Sequence, residues 1–147
     1  TKMSKLKNIT VTGRLKEGFT VETEMRAHKA VVDQPREGGG KDTGPTPLEY
    51  LFVSLAGCIG TIARIKARQE KIDLRSLEIS VSGDIDIDVL MGKSDDARPG
   101  FQNIVVHVNM DCDLSPEEKE EFMHDVDRRC PISDNISNKT PLSFDVK

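Results

Sequence analysis

Aromatic residues and positive charge are both in short supply in this chain of 147 residues. It has no tryptophan, one tyrosine and five phenylalanines, its formal net charge is -4, and its lysines and arginines are scattered. It therefore lacks a basic stripe with interleaved aromatic residues that could follow a phosphate backbone. Nucleic acid is not an expected partner.

Long apolar runs are also lacking, since no uncharged apolar stretch reaches the roughly 18 residues that a membrane-spanning helix needs. The N-terminal segment from Thr1 to Lys5 has no apolar core of a secretory signal. With 36% hydrophobic and 31% charged residues, the composition is that of a soluble globular protein. We expect a single domain over residues 1–147, located in the cytoplasm and without a membrane partner.

Cysteine is the third scarce residue, with Cys58, Cys112 and Cys130 as its three examples. An odd number of widely spaced cysteines fits neither the disulfide framework of a secreted protein nor a paired Cys-x-x-Cys zinc site. The three histidines fall on different predicted elements without ligand-like spacing. We therefore expect neither a metal nor a cofactor, and any cysteine chemistry must come from the fold.

The first third of the chain predicts strands followed by a loop. Residues 9–12, 19–23 and 30–32 are rich in β-forming side chains around a glycine-bounded turn at 13–18, which predicts an antiparallel meander. Residues 34–45 are rich in glycine and proline, which excludes regular structure and allows close backbone approaches. We interpret this segment as a long functional loop.

A helix is predicted directly after the loop. Thr46, Pro47 and Glu49 supply a cap residue, a proline at the first helical position and a glutamate at the third, which is the capping-box pattern. Apolar residues then recur on a broad face as far as about Gln69, which predicts a largely buried helix. Cys58 lies in its middle.

The second half of the chain predicts another hairpin and a final strand. Residues 77–87 and 101–110 alternate apolar and polar side chains around a polar tip, and residues 142–146 read as a last strand. The predicted order of elements is β-β-β-α-β-β-α-α-β. This order indicates an α+β fold with antiparallel sheets and two core helices.

The helices of this half are predicted from their ends. Ser115 repeats the capping pattern, and that helix should end near Arg129 because Pro131 cannot donate a backbone hydrogen bond into it. Residues 132–137 could form a further helical turn. Cys130 is thereby placed at a helix junction, where backbone donors and the preceding arginines could favour its thiolate.

Three motifs carry a specific resemblance: GPTPLEYL at 44–51, LAGC at 55–58 and CPIS at 130–133. Together, and in this order, they resemble the OsmC and organic hydroperoxide resistance family. The resemblance extends over nearly the whole chain. It implies the OsmC-like fold, in which an intertwined homodimer has two long helices at its centre and active sites between the subunits.

The resemblance also implies an activity, which is thiol-dependent reduction of organic hydroperoxides. By position in the motifs, Cys58 is the cysteine that attacks the peroxide and Cys130 is the one that resolves the sulfenic acid as a disulfide. A small dithiol or a dihydrolipoyl protein is the implied reductant. No cofactor is implied.

The family pairs its reactive cysteine with an arginine held by a glutamate. Arg36 in the loop is our first candidate for this arginine, and Arg14 is the second. Glu49 is the natural glutamate, although the hydroperoxide-resistance branch places its glutamate directly after the proline, where this chain has Leu48. On one helix Glu49 and Cys58 would lie on opposite sides and about 13 Å apart, so Glu49 acts either on a partner subunit or only as a cap.

The sequence also allows other roles for the cysteines. A cysteine in an apolar helix is more often a packing residue, and a non-catalytic ligand-binding or stress-related dimer could retain the same fold. Cys112 has Asp111 and Asp113 as neighbours, whose negative charge disfavours a thiolate. A cysteine hydrolase is disfavoured because no histidine is placed by the sequence to act as its base.

Overall fold

A computed structural model describes residues 4–147, so Thr1 to Met3 of the N-terminal segment lie outside the described residues. The chain divides into two compact units, Thr1–Leu51 and Phe52–Lys147. Each unit contains one antiparallel sheet. Helices α1 to α4, defined below, complete an α+β architecture, as predicted.

The sheet of the first unit is a three-stranded meander in the order β1 (Thr12–Leu15), β2 (Val21–Met25) and β3 (His28–Val32). Leu15 pairs with Val21, and Val21 pairs in turn with Val32. The first strand was predicted at 9–12 with a turn at 13–18, and this placement is wrong. The turn is shorter because Gly18 takes a positive φ of 64° and the Lys16 amide donates to the Thr20 carbonyl at 2.8 Å, which leaves residues 13–15 free to pair.

After β3 the chain enters the predicted loop, which contains one 3-10 turn at Arg36–Gly38. Helix α1 (Pro47–Gln69) follows with the predicted bounds. The capping box is present in full: the Thr46 amide donates to the Glu49 carboxylate at 2.8 Å, and the Glu49 amide donates to the Thr46 hydroxyl at 3.2 Å. Local side-chain chemistry thus fixes where α1 begins.

The prediction that α1 is largely buried is wrong for the single chain. Only one stripe of its residues is buried, and the opposite face exposes apolar side chains such as Val53, which is 63% exposed. The buried stripe consists of Leu55, Ile59, Ile62, Ala63 and Ala67. Periodicity located the inward face correctly, but exposed apolar residues outside it, such as Val53, are not covered by the described residues 4–147.

Helix α1 also corrects the expectation that no stretch is apolar enough to span a membrane. Among the described residues it is the one helix that could do so by length and composition, with a mean hydropathy of 1.5 over its most apolar part. The core helix of a soluble protein meets the same criterion.

The second unit contains a long hairpin of β4 (Ser76–Ile85) and β5 (Phe101–Asp111), with Ser76 opposite Asp111 and a register shift at Asp84/Ile85. Residue 87 was predicted in the strand, and this is wrong. The Asp86 side chain accepts a hydrogen bond from the Asp88 amide and caps a short helix, α2 (Ile87–Leu90), which ends the strand two residues early.

Two further helices complete the second unit. Helix α3 (Pro116–Arg128) begins with the predicted capping box between Ser115 and Glu118, and α4 (Pro131–Ser137) is the predicted helical turn. A continuous apolar core joins α1, the hairpin and α3. Its buried members are Leu55, Ile59, Ile62, Ala63, Ala67, Leu74, Met110, Cys112, Phe122, Val126 and Cys130.

The strand predicted at 142–146 is wrong for the single chain, since residues 141–147 have no regular structure. Leu142, Phe144 and Val146 are 84%, 86% and 87% exposed. A strand exists only when another strand pairs with it, because its backbone groups must be hydrogen-bonded outside the segment. The alternating pattern is therefore present in the sequence, while the pairing partner is missing from the described residues.

Candidate active site

Cys58 lies in the middle of α1 in the second unit, as predicted. Its side chain is half-buried and packs against the apolar core. The neighbouring Gly57 is exposed, and a Cβ atom at that position would meet nothing within 4 Å. The surface of α1 at Gly57, one position before the thiol, is therefore open.

Cys130 is the N-cap residue of α4 and is 1% exposed. Pro131 occupies the first helical position, where its missing amide hydrogen costs nothing, and the amide of Ser133 donates to the Cys130 sulfur at 3.4 Å. The Ser133 hydroxyl donates in turn to the Asp127 carboxylate in α3. These bonds hold the junction between the two helices and fix the direction of the Cys130 side chain.

The fold brings Cys58 and Cys130 together, although they are far apart in the sequence. Cys130 and the backbone amide of Ile132 are the hydrogen-bonding groups that shift the pKa of Cys58, so both lie near its sulfur. Both cysteines are free thiols. Amides at the second and third positions of α4 thus face the two sulfurs, because the first turn of a helix has no internal acceptors for them.

The electrostatics of the pair favour the neutral thiol at Cys58. Burial raises the pKa of Cys58, and its hydrogen bond to Cys130 raises it further, while the Ile132 amide acts in the opposite direction. The expected basic neighbours of Cys130 have other partners: Arg128 pairs with Asp125, and Arg129 donates to the Gln69 side chain at 3.4 Å. Within the second unit, no cation is found at the sulfurs.

Glu49 and Arg36 lie in the first unit, and both are exposed. Glu49 caps α1, and the hydrogen bond from the Thr46 amide lowers the pKa of the Glu49 carboxyl. The capping role of Glu49 is therefore present in the structure. Arg36 sits in the 3-10 turn of the loop, and its guanidinium has no ion-pair partner among residues 4–147. The second candidate, Arg14, pairs with Glu24 at 3.7 Å across β1 and β2.

The remaining candidates have structural surroundings. Cys112 is a buried member of the core, and its neighbours Asp111 and Asp113 both bind the Arg75 side chain, at 3.0 and 3.1 Å. No group of three or more potential metal ligands occurs among the described residues 4–147.

Two features were missed from the sequence. The Ile132 and Ser133 amides are implied by proline at the start of a helix, whereas the buried Asp33 has no sequence signal.

Comparisons with known proteins agree with this architecture. The model of the OsmC-like protein family matches residues 38–145. An OsmC-like protein from Mycoplasma pneumoniae is 23% identical with a TM-score of 0.78, covering 89% of this chain and 88% of that one. An organic hydroperoxide resistance protein OsmC from Legionella pneumophila is 21% identical with a TM-score of 0.68, covering 90% and 91%.

A third solved structure is that of a putative organic hydroperoxide resistance protein from Vibrio cholerae with captopril bound in one of its active sites. It is 20% identical with a TM-score of 0.65, covering 92% of this chain and 88% of that one. Curated proteins give no match. At these identities the solved structures establish the fold alone, while the family model covers most of the chain. The chain belongs to the family of OsmC-like proteins.

Proposed function

We propose that this protein is a thiol-dependent peroxidase that reduces organic hydroperoxides through Cys58 and Cys130, in defence against oxidative stress in the cytoplasm. One observation supports the proposal: two thiols from distant parts of the sequence lie close enough for Cys130 to raise the pKa of Cys58. Two cysteines that the fold brings near each other meet the first requirement for a disulfide, which forms only between nearby side chains.

The reaction balances with these two residues and an external dithiol. The Cys58 thiolate attacks one oxygen of the hydroperoxide, the O–O bond breaks, and the leaving alkoxide takes a proton to become the alcohol. Cys58 is then a sulfenic acid. The Cys130 sulfur attacks the Cys58 sulfur, the S–O bond breaks, and hydroxide leaves as water with the Cys130 proton. A dithiol reductant, of the small or dihydrolipoyl type, returns two electrons and two protons.

The first step requires a thiolate at Cys58, yet burial and the Cys130 contact raise the pKa of this thiol. Lowering a cysteine pKa from about 8.5 to about 6 requires roughly 3 kcal/mol of preferential stabilisation of the thiolate. We assign this role to Arg36, whose guanidinium has no ion-pair partner among the described residues. If Glu49 does more than cap α1, its carboxylate would orient the Arg36 guanidinium.

An organic substrate is favoured over hydrogen peroxide by the surroundings of Cys58. The thiol packs against an apolar core, and its helix neighbours Leu55 and Ile59 are buried there. A hydrocarbon tail gains free energy when it leaves water for such a surface, whereas hydrogen peroxide has no tail to bury. Two of the structural relatives named above carry organic hydroperoxide resistance in their names.

The active form is proposed to be a homodimer. Apolar side chains are exposed on α1 and on the C-terminal segment, where Leu142, Phe144 and Val146 keep the alternation of a strand. Such exposed apolar surface is unusual for a monomer. A second copy of the chain would cover it, and the site would then be completed by both subunits. Light scattering with size exclusion is expected to give twice the mass of 16.3 kDa.

The test is consumption of cumene hydroperoxide against hydrogen peroxide with dithiothreitol, followed by free-thiol counting on the oxidised protein. We expect faster turnover of the organic peroxide and loss of two of the three thiols. Cys58→Ser should abolish turnover, and Cys130→Ser should permit one oxidation event without a disulfide. Cys112→Ser, the matched control, should keep both turnover and disulfide formation.

The competing function is a non-catalytic ligand-binding or stress-related dimer. It is favoured by the raised pKa of Cys58, because a thiol that stays protonated is a poor nucleophile. No turnover, with three unreacted thiols after peroxide treatment, would replace the peroxidase proposal by this one. Normal steady-state turnover by Cys58→Ser would contradict the peroxidase mechanism as well.

A further inference from the structure

The loop of residues 34–45 in the first unit closes on itself through its backbone. The Asp33 amide donates to the Pro45 carbonyl at 3.1 Å, and the Asp42 amide donates to the Gln34 carbonyl at 3.0 Å. The Gly40 amide donates to the Pro35 carbonyl at 3.0 Å. The two ends of the loop therefore lie side by side, as in a compact Ω-loop.

Asp33 lies at the centre of this closure and is fully buried. One carboxylate oxygen accepts the Gln34 amide at 2.8 Å. The other accepts the amide of Thr43 at 3.1 Å, its hydroxyl at 2.6 Å and the Thr20 hydroxyl at 3.4 Å. The Lys41 amide contributes as well. A buried carboxylate is tolerated only when its oxygens are hydrogen-bonded, and here both ends of the loop supply the donors.

Two glycines show how tightly the loop is packed on its own backbone. A Cβ atom on Gly40 would lie 2.0 Å from the Gln34 carbonyl oxygen, and one on Gly44 would lie 2.1 Å from the Val31 carbonyl oxygen. No larger residue fits at either position without moving the main chain. The loop backbone is therefore closely packed at both positions, on the segment that supplies the Lys41 and Thr43 donors to Asp33.

We propose that Asp33 is the positioning residue of this loop, and that its buried carboxylate holds the backbone on which Arg36 is presented to the reactive thiolate. The inference rests on the proposed peroxidase function and on Arg36 as its cation. Arg36 lies between the two anchored ends, three residues after Asp33 and before the anchors at Lys41 and Thr43. An arginine on a fixed backbone loses less entropy when it engages a charge than one on a mobile loop.

The main experiment compares wild type, Asp33→Asn, Arg36→Ala and the double variant in cumene hydroperoxide turnover. Asparagine keeps the size of the side chain but replaces one acceptor oxygen by a donor, so donors around Asp33 lose their partner. We expect Asp33→Asn to lower kcat/KM about 10- to 100-fold, since small displacements of a positioning group have effects of this size. In the Arg36→Ala background, Asp33→Asn should lower kcat/KM by about twofold or less.

The double variant separates positioning from general destabilisation, because a merely structural Asp33 would lower activity in both backgrounds. Asp42→Asn is the matched control: it is an exposed carboxylate of the same loop with a positive φ of 54°, which asparagine tolerates. It should leave turnover unchanged. If Asp33→Asn does not fold, Thr43→Val removes the donor at 2.6 Å while preserving the side-chain shape, and it should act in the same direction.

Hydrogen exchange gives a readout independent of activity. The loop amides, including those of Asp42 and Thr43, should exchange faster in Asp33→Asn than in wild type or Asp42→Asn. Unchanged exchange, or an equal loss of turnover with and without Arg36, would overturn the inference and leave the peroxidase proposal intact. A wild-type protein without any turnover would instead remove the peroxidase proposal, and the inference with it.

Discussion

The two units of the chain are stabilised in different ways. In the second unit the buried side chains are apolar and form one cluster around α1, the β4/β5 hairpin and α3. Among the described residues of the first unit, Asp33 is the one side chain that is buried, and large apolar residues such as Leu15 and Phe19 are exposed. The second unit depends on apolar burial, whereas the first depends on backbone pairing and on the donors around one carboxylate.

This difference matches the parts that the two units take in the proposed chemistry. The thiol pair lies in a packed region, where neighbouring side chains restrict the rotamers of both cysteines. The proposed cation lies on a loop that is held by directional hydrogen bonds. Substitutions should therefore destabilise the two units in different ways. In the second unit they should leave cavities, and in the first they should remove hydrogen-bond acceptors.

The largest expected effect is that of Phe122→Ala in the second unit. Phe122 is 4% exposed and packs in the core, with the Lys66 ammonium 5.2 Å from its ring centre. Its removal should cost about 3–5 kcal/mol of unfolding free energy, through lost burial and the remaining cavity. Phe19→Ala in the first unit is the comparison: Phe19 is 53% exposed, so about 1 kcal/mol is expected. Urea denaturation measures both, and equal losses would contradict the contrast between the units.

The second prediction concerns pH, and the two units should respond at opposite ends of the scale. The Thr43 hydroxyl and the Gln34 amide lower the pKa of Asp33 from 3.8 to about 2. A lowered pKa stabilises the fold above 3.8, and this contribution is lost as the pH falls toward about 2. Burial raises the pKa of Cys58 from 9.0, so its contribution is present below 9.0 and is lost as the pH rises through the raised value.

The measurement is the difference in Tm between wild type and each variant, followed across pH. Such differences are needed because Glu49, Glu118 and Asp125 also have lowered pKa values and titrate in acid. The gap between wild type and Asp33→Asn should narrow as the pH falls from 3.8 toward about 2. The gap between wild type and Cys58→Ser should change only in alkali. If the Tm difference between wild type and Cys58→Ser also changed near pH 3, the two units would not respond to pH separately.

What the sequence predicted well is what short segments determine alone. Both capping boxes, the bounds of α1 and the junction at Pro131 follow from contacts between residues three or four positions apart, and the structure confirms them. The α+β class follows from the order of these elements. The exact end of β4 depends on one side chain, since Asp86 can cap a helix as well as face solvent in a strand.

What could not be predicted depends on partners distant in sequence or outside the chain. The alternation at 142–146 is genuine, but a strand needs an edge to pair with, and a single sequence does not show where that edge is. The resemblance named Cys58 and Cys130, yet no local pattern predicts that the two thiols lie close enough for Cys130 to affect the ionisation of Cys58. Asp33 was missed because its donors come from Thr20 and from residues about ten positions later.

The smallest predicted effect decides whether Glu49 is only a cap. Thr46→Ala removes the hydroxyl acceptor at the start of α1 and should cost about 1 kcal/mol of stability, and Ser115→Ala should cost as much at the start of α3. Glu49→Gln preserves the box, because glutamine also accepts the Thr46 amide, but it removes the charge. Unchanged turnover in Glu49→Gln would limit Glu49 to its cap. A loss of turnover without a matching loss in Thr46→Ala would mean that the charge of Glu49 acts on the proposed arginine.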